Sequence, residues 1–400
     1  MRLASCDEAG RILYDERFVP LADGGLVREA HPDELIPAPD GTVEMLLPRR
    51  RPLTTIGPLA ERTAMAVALP AGYTRLLLPA YATERTAPAL PLFGYTFACV
   101  VDDRLHVAAM ATDEGEEWEP RRFARGELEA LVTSRLAREP HNGVLRQVAL
   151  CSREYGCFTA QNVFLELGEA ALPVSPKCNA RCIGCISELD PDAGVPSPQT
   201  RIADEASVRD LAAVAIHHLE RVEEGIVSFG QGCEGEPLLR SIAIARAIER
   251  IRAVRTNGTV NLNTNGSQPP ALERCIDAGL DAVRISLNSF RPRVYAAYYR
   301  PAGYGLDEVL ESVRIATARN LRVSLNLLTH PGVTDDEEEI AAMEAFLCSC
   351  PVAMVQTRTL NIDPAIYFEA VGRPRAPRGM RHAIGTIRRL TRVGNFTHTH

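Results

Sequence analysis

Three cysteines lie within eight positions of the chain, in the segment SPKCNARCIGCISELD of residues 175–190. They are Cys178, Cys182 and Cys185, with the spacing C-x3-C-x2-C. Structural zinc takes four nitrogen or sulfur ligands, typically from two paired knuckles, and no second C-x2-C follows here. Ferredoxin runs use a different spacing, C-x2-C-x2-C-x3-C. The pattern therefore favours a four-iron cluster held by three thiolates, whose remaining iron can bind a substrate or cosubstrate directly.

The secondary-structure elements that must position these thiols alternate regularly along the chain. From about residue 170, apolar strands alternate with amphipathic helices six times, which predicts a parallel α/β sheet. Six units are fewer than the eight of a closed barrel, so a curved, open, partial (βα)6 barrel fits the pattern best. Unusual polar residues follow the strands, and the carboxyl ends of parallel strands share one face. We expect these segments to meet the cysteine loop at one cavity: QGCEGEP, NTNGS, RISLNS, NLLTH and TRTLNI.

A C-x3-C-x2-C loop after the first strand of a partial α/β barrel resembles the radical S-adenosylmethionine (radical SAM) superfamily, over about residues 170–362. The resemblance implies a [4Fe-4S] cluster on Cys178, Cys182 and Cys185, with S-adenosylmethionine bound to the unique iron. It implies reductive cleavage of this cosubstrate to methionine and a 5′-deoxyadenosyl radical, which abstracts a hydrogen atom from a substrate. An external electron donor such as flavodoxin or ferredoxin is implied as well.

The resemblance also implies residues that contact S-adenosylmethionine. The segment GCEGEPLL resembles the GGEP element of the family, with Glu234 in place of one glycine, and it assigns Gly235 and Glu236 to the cosubstrate. An alternative role for Glu236 is compensation of a helix dipole. The third and fourth strands assign Thr264, Asn265, Arg284, Ser286 and Asn288. The aromatic residue that the family has before its third cysteine is Gly184 here, so adenine stacking is expected from elsewhere.

The other cysteines leave a second cluster open as an alternative. The candidates are Cys151, Cys157, Cys233, Cys275 and the pair Cys348 and Cys350. Auxiliary clusters commonly use a dense C-terminal set of cysteines, and none follows Cys350. Cys233 lies in the loop after the second strand, on the predicted active face. For the rest we expect buried free thiols.

The chain divides into three parts that differ in composition and in predicted secondary structure. Residues 1–165 contain short strands broken by Pro, Gly and Asp, with one helical stretch, and they predict a β-rich α+β domain of unknown role. Residues 166–362 form the predicted barrel. Residues 363–400 are an Arg-rich C-terminal extension, with seven arginines and no acidic residue from Ala370 onward. Such a segment can contact RNA phosphates, but a solvated helix and tail that pack on the barrel are the more ordinary interpretation.

The composition limits the class of protein. The 400 residues are 46% hydrophobic and 24% charged, as in ordinary globular proteins, and the net charge of -7 argues against a protein that coats nucleic acid. The N-terminus has no apolar signal region, and no apolar run of about 18 residues occurs, so we expect a cytoplasmic protein without a membrane partner. Eleven cysteines in that compartment indicate metal or reactive thiols before disulfides.

The sequence thus predicts a radical SAM enzyme acting on an unidentified substrate. One alternative is a radical SAM enzyme that modifies a tRNA base, which the acidic balance disfavours. The other is a non-catalytic iron–sulfur or zinc-binding scaffold. A scaffold has no need of Glu236, Ser286 and Asn288 directed at one cavity, and it would not cleave S-adenosylmethionine.

Overall fold

The structure, a computed structural model, describes residues 1–7, 9–113 and 126–395. Up to residue 113 it consists mainly of short strands, since Pro, Gly and Asp interrupt the apolar runs. Strands β1 to β14 are Arg2–Cys6, Ile12–Asp15, Leu21–Asp23, Val27–Glu29, Leu35–Pro37, Val43–Leu47, Arg50–Thr54, Gly57–Pro58, Thr63–Ala68, Tyr73–Arg75, Leu78–Pro79, Tyr81–Thr83, Ala98–Val101 and Arg104–Ala111.

These strands form one larger and two small antiparallel sheets. The larger sheet has the order β10-β14-β13-β1-β9-β6, with β2 paired to β1 and β5 paired to β14. The small sheets have the orders β11-β3-β4 and β12-β7-β8. The prediction of a β-rich N-terminal region is confirmed.

Three helices connect this region to the barrel: α1 (Leu128–Arg138), α2 (Gly143–Glu154) and α3 (Phe158–Leu165). The sequence predicted only the first. Helix α2 begins after Asn142, whose side-chain oxygen accepts a hydrogen bond from the Leu145 amide at 3.1 Å. An Asn cap before an amphipathic segment is a recognisable helix start, so the signal was present in the sequence. Both α2 and α3 share one core with the barrel strands.

The second half is the predicted parallel sheet with helices outside it. Strands β15 to β21 are Glu169–Leu172, Ile226–Phe229, Thr259–Thr264, Ala282–Leu287, Arg322–Thr329, Met354–Thr359 and Arg392–Gly394, paired in that order and all parallel. Helices α4 to α11 are Val208–Arg221, Ser241–Val254, Pro269–Asp277, Pro292–Tyr299, Leu306–Ala318, Glu337–Ser349, Pro364–Val371 and Met380–Leu390. The partial-barrel prediction is confirmed. No helix in the described ranges is long and apolar enough to span a membrane.

The sheet differs from the prediction by a seventh strand. Strand β21 pairs with β20 at the register Met354 to Arg392, and it comes from the C-terminal extension that was expected to be a solvated helix and tail. Helix α11 of the same extension buries Met380 and Ile384 against the N-terminal core. A three-residue strand has no periodicity of its own, and it forms because the edge of β20 supplies its partners. Residues 396–400 of the extension lie outside the described residues.

The N-terminal region is anchored to the loop that follows β20. Arg50 and Asp363 form a fully buried ion pair at 2.9 Å. The side chain of Arg75, also buried, donates a hydrogen bond to the carbonyl of Leu360 at 2.9 Å, and its burial lowers the pKa of Arg75 to about 9. These contacts hold the carboxyl end of β20 in place, and that end contributes to the cavity described next.

Candidate active site

A cavity of about 570 Å³ opens at the carboxyl ends of the barrel strands. A larger groove of about 850 Å³ lies between α5 and α6, and no cysteine lines it. The cavity instead brings together most of the residues singled out in the sequence. Those that line it are Cys178, Cys182, Gly235, Glu236, Thr264, Asn265, Arg284 and Ser286.

Two of the predicted site residues do not line this cavity. Cys185 lies beside it, where its sulfur accepts a hydrogen bond from the Arg201 guanidinium at 3.5 Å and is 3.6 Å from the Ser187 hydroxyl. Asn288 is buried behind the wall, and its amide donates to the Tyr367 hydroxyl at 3.0 Å. The strand alternation that placed Asn288 beside Ser286 ends with β18 at Leu287, so the next side chain turns away.

The cysteine loop is fixed by helix α7, which the sequence analysis did not identify. The amides of Arg181 and Ile183 donate to the carbonyls of Tyr299 and Tyr298, both at 3.0 Å. All three thiols of the loop are free and partly buried. Burial raises the pKa of Cys178 and of Cys182 above that of an ordinary thiol. In the described ranges, no three His, Cys, Asp or Glu side chains are gathered so as to hold one metal ion.

The same helix explains the glycine that replaces the family's aromatic residue. A Cβ atom on Gly184 would lie 3.0 Å from the hydroxyl oxygen of Tyr298 and 3.4 Å from the carbonyl oxygen of Asn361. A ring at this position has no room. Aromatic side chains reach the cavity from other elements, among them Phe158 of α3 and Tyr299 of α7. The hydroxyl oxygen of Tyr299 is buried without a hydrogen-bond partner in the described part of the chain.

The loop after β16 is bonded directly to the cysteine loop through Gly235 and Glu236. The amide of Gly235 donates to the Ser175 carbonyl at 2.7 Å, and that of Glu236 donates to the Lys177 carbonyl at 2.8 Å. A Cβ atom on Gly235 would lie 2.1 Å from the Lys177 carbonyl oxygen. Glycine is therefore required here by the close approach of two backbones. This contact lies one residue before the first cysteine.

The carboxylate of Glu234, which the sequence analysis treated only as a departure from the family pattern, is a buried anchor. One oxygen accepts hydrogen bonds from the amides of Val174 and Ser175, and the other accepts from the amide of Gln231, all at 2.7 Å. Burial raises the pKa of Glu234 to about 8, although these hydrogen bonds act in the opposite direction. The side chain therefore ties the start of the cysteine loop to the loop after β16.

We expect Glu234→Gln to lower the free energy of unfolding by ~1–3 kcal/mol at about pH 5, because an amide group would face the Gln231 donor. The Glu234 carboxyl group binds a proton more tightly in the folded state than in the unfolded state, where its pKa is near 4.5. The contribution of Glu234 therefore falls as the pH rises through about 8. Denaturant unfolding from about pH 5 to 8 should show the deficit of the variant shrinking, with the exposed Glu220→Gln as control. A deficit that is independent of pH would contradict this assignment.

The Glu236 carboxylate organises the neighbouring strand end while it lines the cavity. It caps the 3-10 turn Pro237–Arg240 by accepting from the Leu238 amide at 2.9 Å, and it also accepts from the Thr264 hydroxyl and, at 2.8 Å, from the Asn265 amide. Burial raises the pKa of Glu236 to about 7. The side chain of Asn265 in turn donates to Asn179, inside the cysteine loop, at 2.9 Å.

Deeper in the barrel the lining is polar and contains an internal ion pair. Arg284 pairs with Glu169, the first residue of β15, at 2.6 Å, and it donates to the Asn263 side chain at 3.1 Å. The Ser286 hydroxyl accepts a hydrogen bond from the Asn326 amide at 3.1 Å. The sequence analysis assigned Arg284 to the cosubstrate and did not identify Glu169 as its ion-pair partner.

Comparisons with known proteins agree with this geometry. A family model described as the radical SAM superfamily matches residues 172–343. A GTP 3′,8-cyclase of Limosilactobacillus fermentum is 28% identical over 176 residues, which are 42% of this chain and 47% of that protein. The FeMo cofactor biosynthesis protein NifB of Klebsiella pneumoniae is 27% identical over 41% of this chain and 37% of its own length. The chain thus spans about half, or less, of the length of these relatives.

Two solved structures that match this chain do so with low sequence identity and low TM-scores. A crystal structure of methylornithine synthase (PylB) is 12% identical with a TM-score of 0.40, covering 68% of this chain and 71% of that one. A radical SAM methyltransferase from Sphaerobacter thermophilus is 16% identical with a TM-score of 0.41, covering 56% and 64%. The family match contains the cysteine loop, the segment after β16 and strands β17 to β19. Residues 172–343 of this chain thus match the radical SAM superfamily model, in agreement with the resemblance seen in the cysteine loop.

Proposed function

We propose that the protein is a radical SAM enzyme, with Cys178, Cys182 and Cys185 holding a [4Fe-4S] cluster beside a site for S-adenosylmethionine. The observation that carries the proposal is the pair of backbone hydrogen bonds from Gly235 and Glu236 to the cysteine loop. They bring the buried Glu236 carboxylate next to the loop that carries three free thiols, two of which line the same cavity. Neither a zinc scaffold nor a packing role accounts for that combination.

The donor set suits this cluster. Three cysteines on one loop leave one iron without a protein ligand, and the Arg201 guanidinium beside Cys185 offsets part of the negative charge of thiolates. When bound, the cluster and S-adenosylmethionine supply a 5′-deoxyadenosyl radical by reductive cleavage. The contribution of the chain is to orient the cosubstrate and exclude water. We propose that Glu236 accepts a hydrogen bond from the amino group, while Thr264, Asn265 and Ser286 line the rest of its site.

An external one-electron donor such as flavodoxin or ferredoxin is part of this proposal, as is a cytoplasmic location. We also propose that residues 166–362 are the catalytic unit, with 1–165 as an N-terminal domain and 363–400 as an extension whose strand β21 joins the barrel sheet. The substrate is left open, since relatives with different names, a GTP 3′,8-cyclase and NifB, match similar shares of this chain.

Anaerobic reconstitution tests the proposal. The wild-type protein is expected to bind about four irons per chain, as in one [4Fe-4S] cluster. With dithionite it should convert S-adenosylmethionine to 5′-deoxyadenosine and methionine, even without substrate. A protein that takes up zinc, binds no iron and ignores S-adenosylmethionine would instead be a scaffold.

We expect Glu236→Gln to weaken S-adenosylmethionine binding about tenfold while the iron content stays unchanged. A charge-assisted hydrogen bond contributes ~1.5–3 kcal/mol, and each ~1.4 kcal/mol is tenfold in affinity. Titration of the reduced-cluster spectrum with S-adenosylmethionine measures this change.

Glu339→Gln is the matched control for this variant. Glu339 is a buried glutamate in the first turn of α9 that accepts hydrogen bonds from Ser289 and Phe290, outside the cavity. Its replacement should lower the melting temperature alone. If Glu236→Gln behaves in the same way, with an unchanged dissociation constant, Glu236 only caps its turn.

A further inference from the structure

Arg358, at the carboxyl end of β20, lines the same cavity as the cysteines. Strand register places Arg358 beside Leu328 and one layer above the pair Asn326 and Gln356. Its side chain shares the cavity with Cys178 and Cys182 of the cysteine loop. The residue belongs to the segment TRTLNI, in which the sequence makes Arg358 and Asn361 candidates for substrate contact on the active face.

The two arginines that line the cavity differ in their bonding. Arg284 is neutralised by Glu169. Arg358 donates from Nη1 to the backbone carbonyl of Asn395 at 2.6 Å and forms no ion pair with any described residue. Its Nε and Nη2 groups make no hydrogen bond within the described ranges, and the side chain is exposed to the cavity.

The setting of Arg358 favours an incoming anion. Desolvation by the surrounding protein lowers the pKa of Arg358 and the nearby Arg284 lowers it further, while the carboxylates of Glu169 and Asp113 act in the opposite direction and only partly offset these effects. A guanidinium stays charged in proteins, so this perturbation is a cost that a bound anion would reduce. The carbonyl of Asn395 fixes one arm of the fork, and the planar donors that remain match the two oxygens of a carboxylate or a phosphate.

We propose that Arg358 binds an anionic oxygen group of the substrate, a carboxylate or a phosphate, and so holds the substrate in the same cavity as S-adenosylmethionine. The inference rests on the proposed function, because it takes this cavity to be the active site. It adds a chemical class of substrate and a residue that selects it. Asn326, which lines the same space and whose side-chain oxygen has no hydrogen-bond partner within the described residues, supplies an amide group for the polar part of such a molecule.

The test uses the reconstituted protein loaded with S-adenosylmethionine, so that the carboxylate of the cosubstrate already occupies its own site. Inorganic phosphate and acetate are titrated separately by calorimetry, which distinguishes the two kinds of anion. We expect at least one to bind the wild type, and Arg358→Gln to weaken it about tenfold or more. Arg358→Lys should retain part of the affinity as a point charge. Arg293→Gln, an exposed arginine on α7, is the control and should change nothing.

Two results would overturn the proposal. One is a wild type that binds neither anion, or a Gln variant that binds them as the wild type does. The other is weaker binding of S-adenosylmethionine to Arg358→Gln, which would assign Arg358 to the cosubstrate instead. Formation of 5′-deoxyadenosine without substrate is measured in parallel. If 5′-deoxyadenosine still forms but no anion binds, the proposed enzyme function stands and only the proposed substrate class is wrong.

Discussion

Single replacement of Cys178, Cys182 or Cys185 by alanine is expected to abolish cluster assembly and the formation of 5′-deoxyadenosine. Three thiolates are the whole protein ligand set of the proposed cluster, and two cannot hold it. The loop is fixed at its backbone by α7 and by the segment after β16, so another residue cannot move in to replace a lost ligand. Iron, sulfide and the visible spectrum after anaerobic reconstitution measure the effect. Four irons retained in each of the three variants would exclude this site.

Cys348→Ser and Cys350→Ser are the matched controls. Both cysteines lie at the end of α9, the first exposed and the second buried, away from the cavity. Their replacement should leave about four irons per chain. A wild type with about eight irons that falls to about four in either control would show that an auxiliary cluster exists.

Gly235→Ala is expected to remove most of the cluster and to weaken S-adenosylmethionine binding, although alanine adds only one methyl group. The added carbon would lie 2.1 Å from the Lys177 carbonyl oxygen and 2.9 Å from the Cys178 amide nitrogen. Since both atoms belong to backbone, the cysteine loop must move away from the loop after β16. Overpacking of this kind costs ~1–3 kcal/mol, so a lower melting temperature should accompany the loss of iron.

Gly385→Ala provides the comparison. A Cβ atom on Gly385, within α11, meets no atom within 4 Å, so the same chemical change should be neutral or slightly stabilising there. Iron content and thermal unfolding of the two variants are measured side by side. If Gly235→Ala kept its full iron content and stability, the two loops would be shown to separate without cost.

Local patterns in the sequence were sufficient to predict the cysteine loop, the alternation of strands and helices, and the segments that meet at the cavity. Each of these rests on spacing within a few residues: C-x3-C-x2-C for the thiols, and the switch between strand and helix periods for the barrel. Parallel strands then bring their carboxyl ends together whatever the side chains are. For this reason the sequence alone assigns Glu236, Thr264 and Ser286 to one cavity, and all three line it.

Tertiary structure alone decided which polar groups face the cavity and which hold the loops. Glu169 and Arg284 are 115 residues apart, and Arg50 and Asp363 are 313 apart, so no local pattern relates them. Glu234 anchors the loops because backbone amides at the start of the cysteine loop donate hydrogen bonds to it. Asn288 does not line the cavity because its strand ends one residue earlier, and its side chain donates to Tyr367 instead. Strand β21 exists because β20 offers it an edge. Hydrogen bonds and ion pairs of this kind depend on how distant segments pack, and spacing along the chain does not encode that.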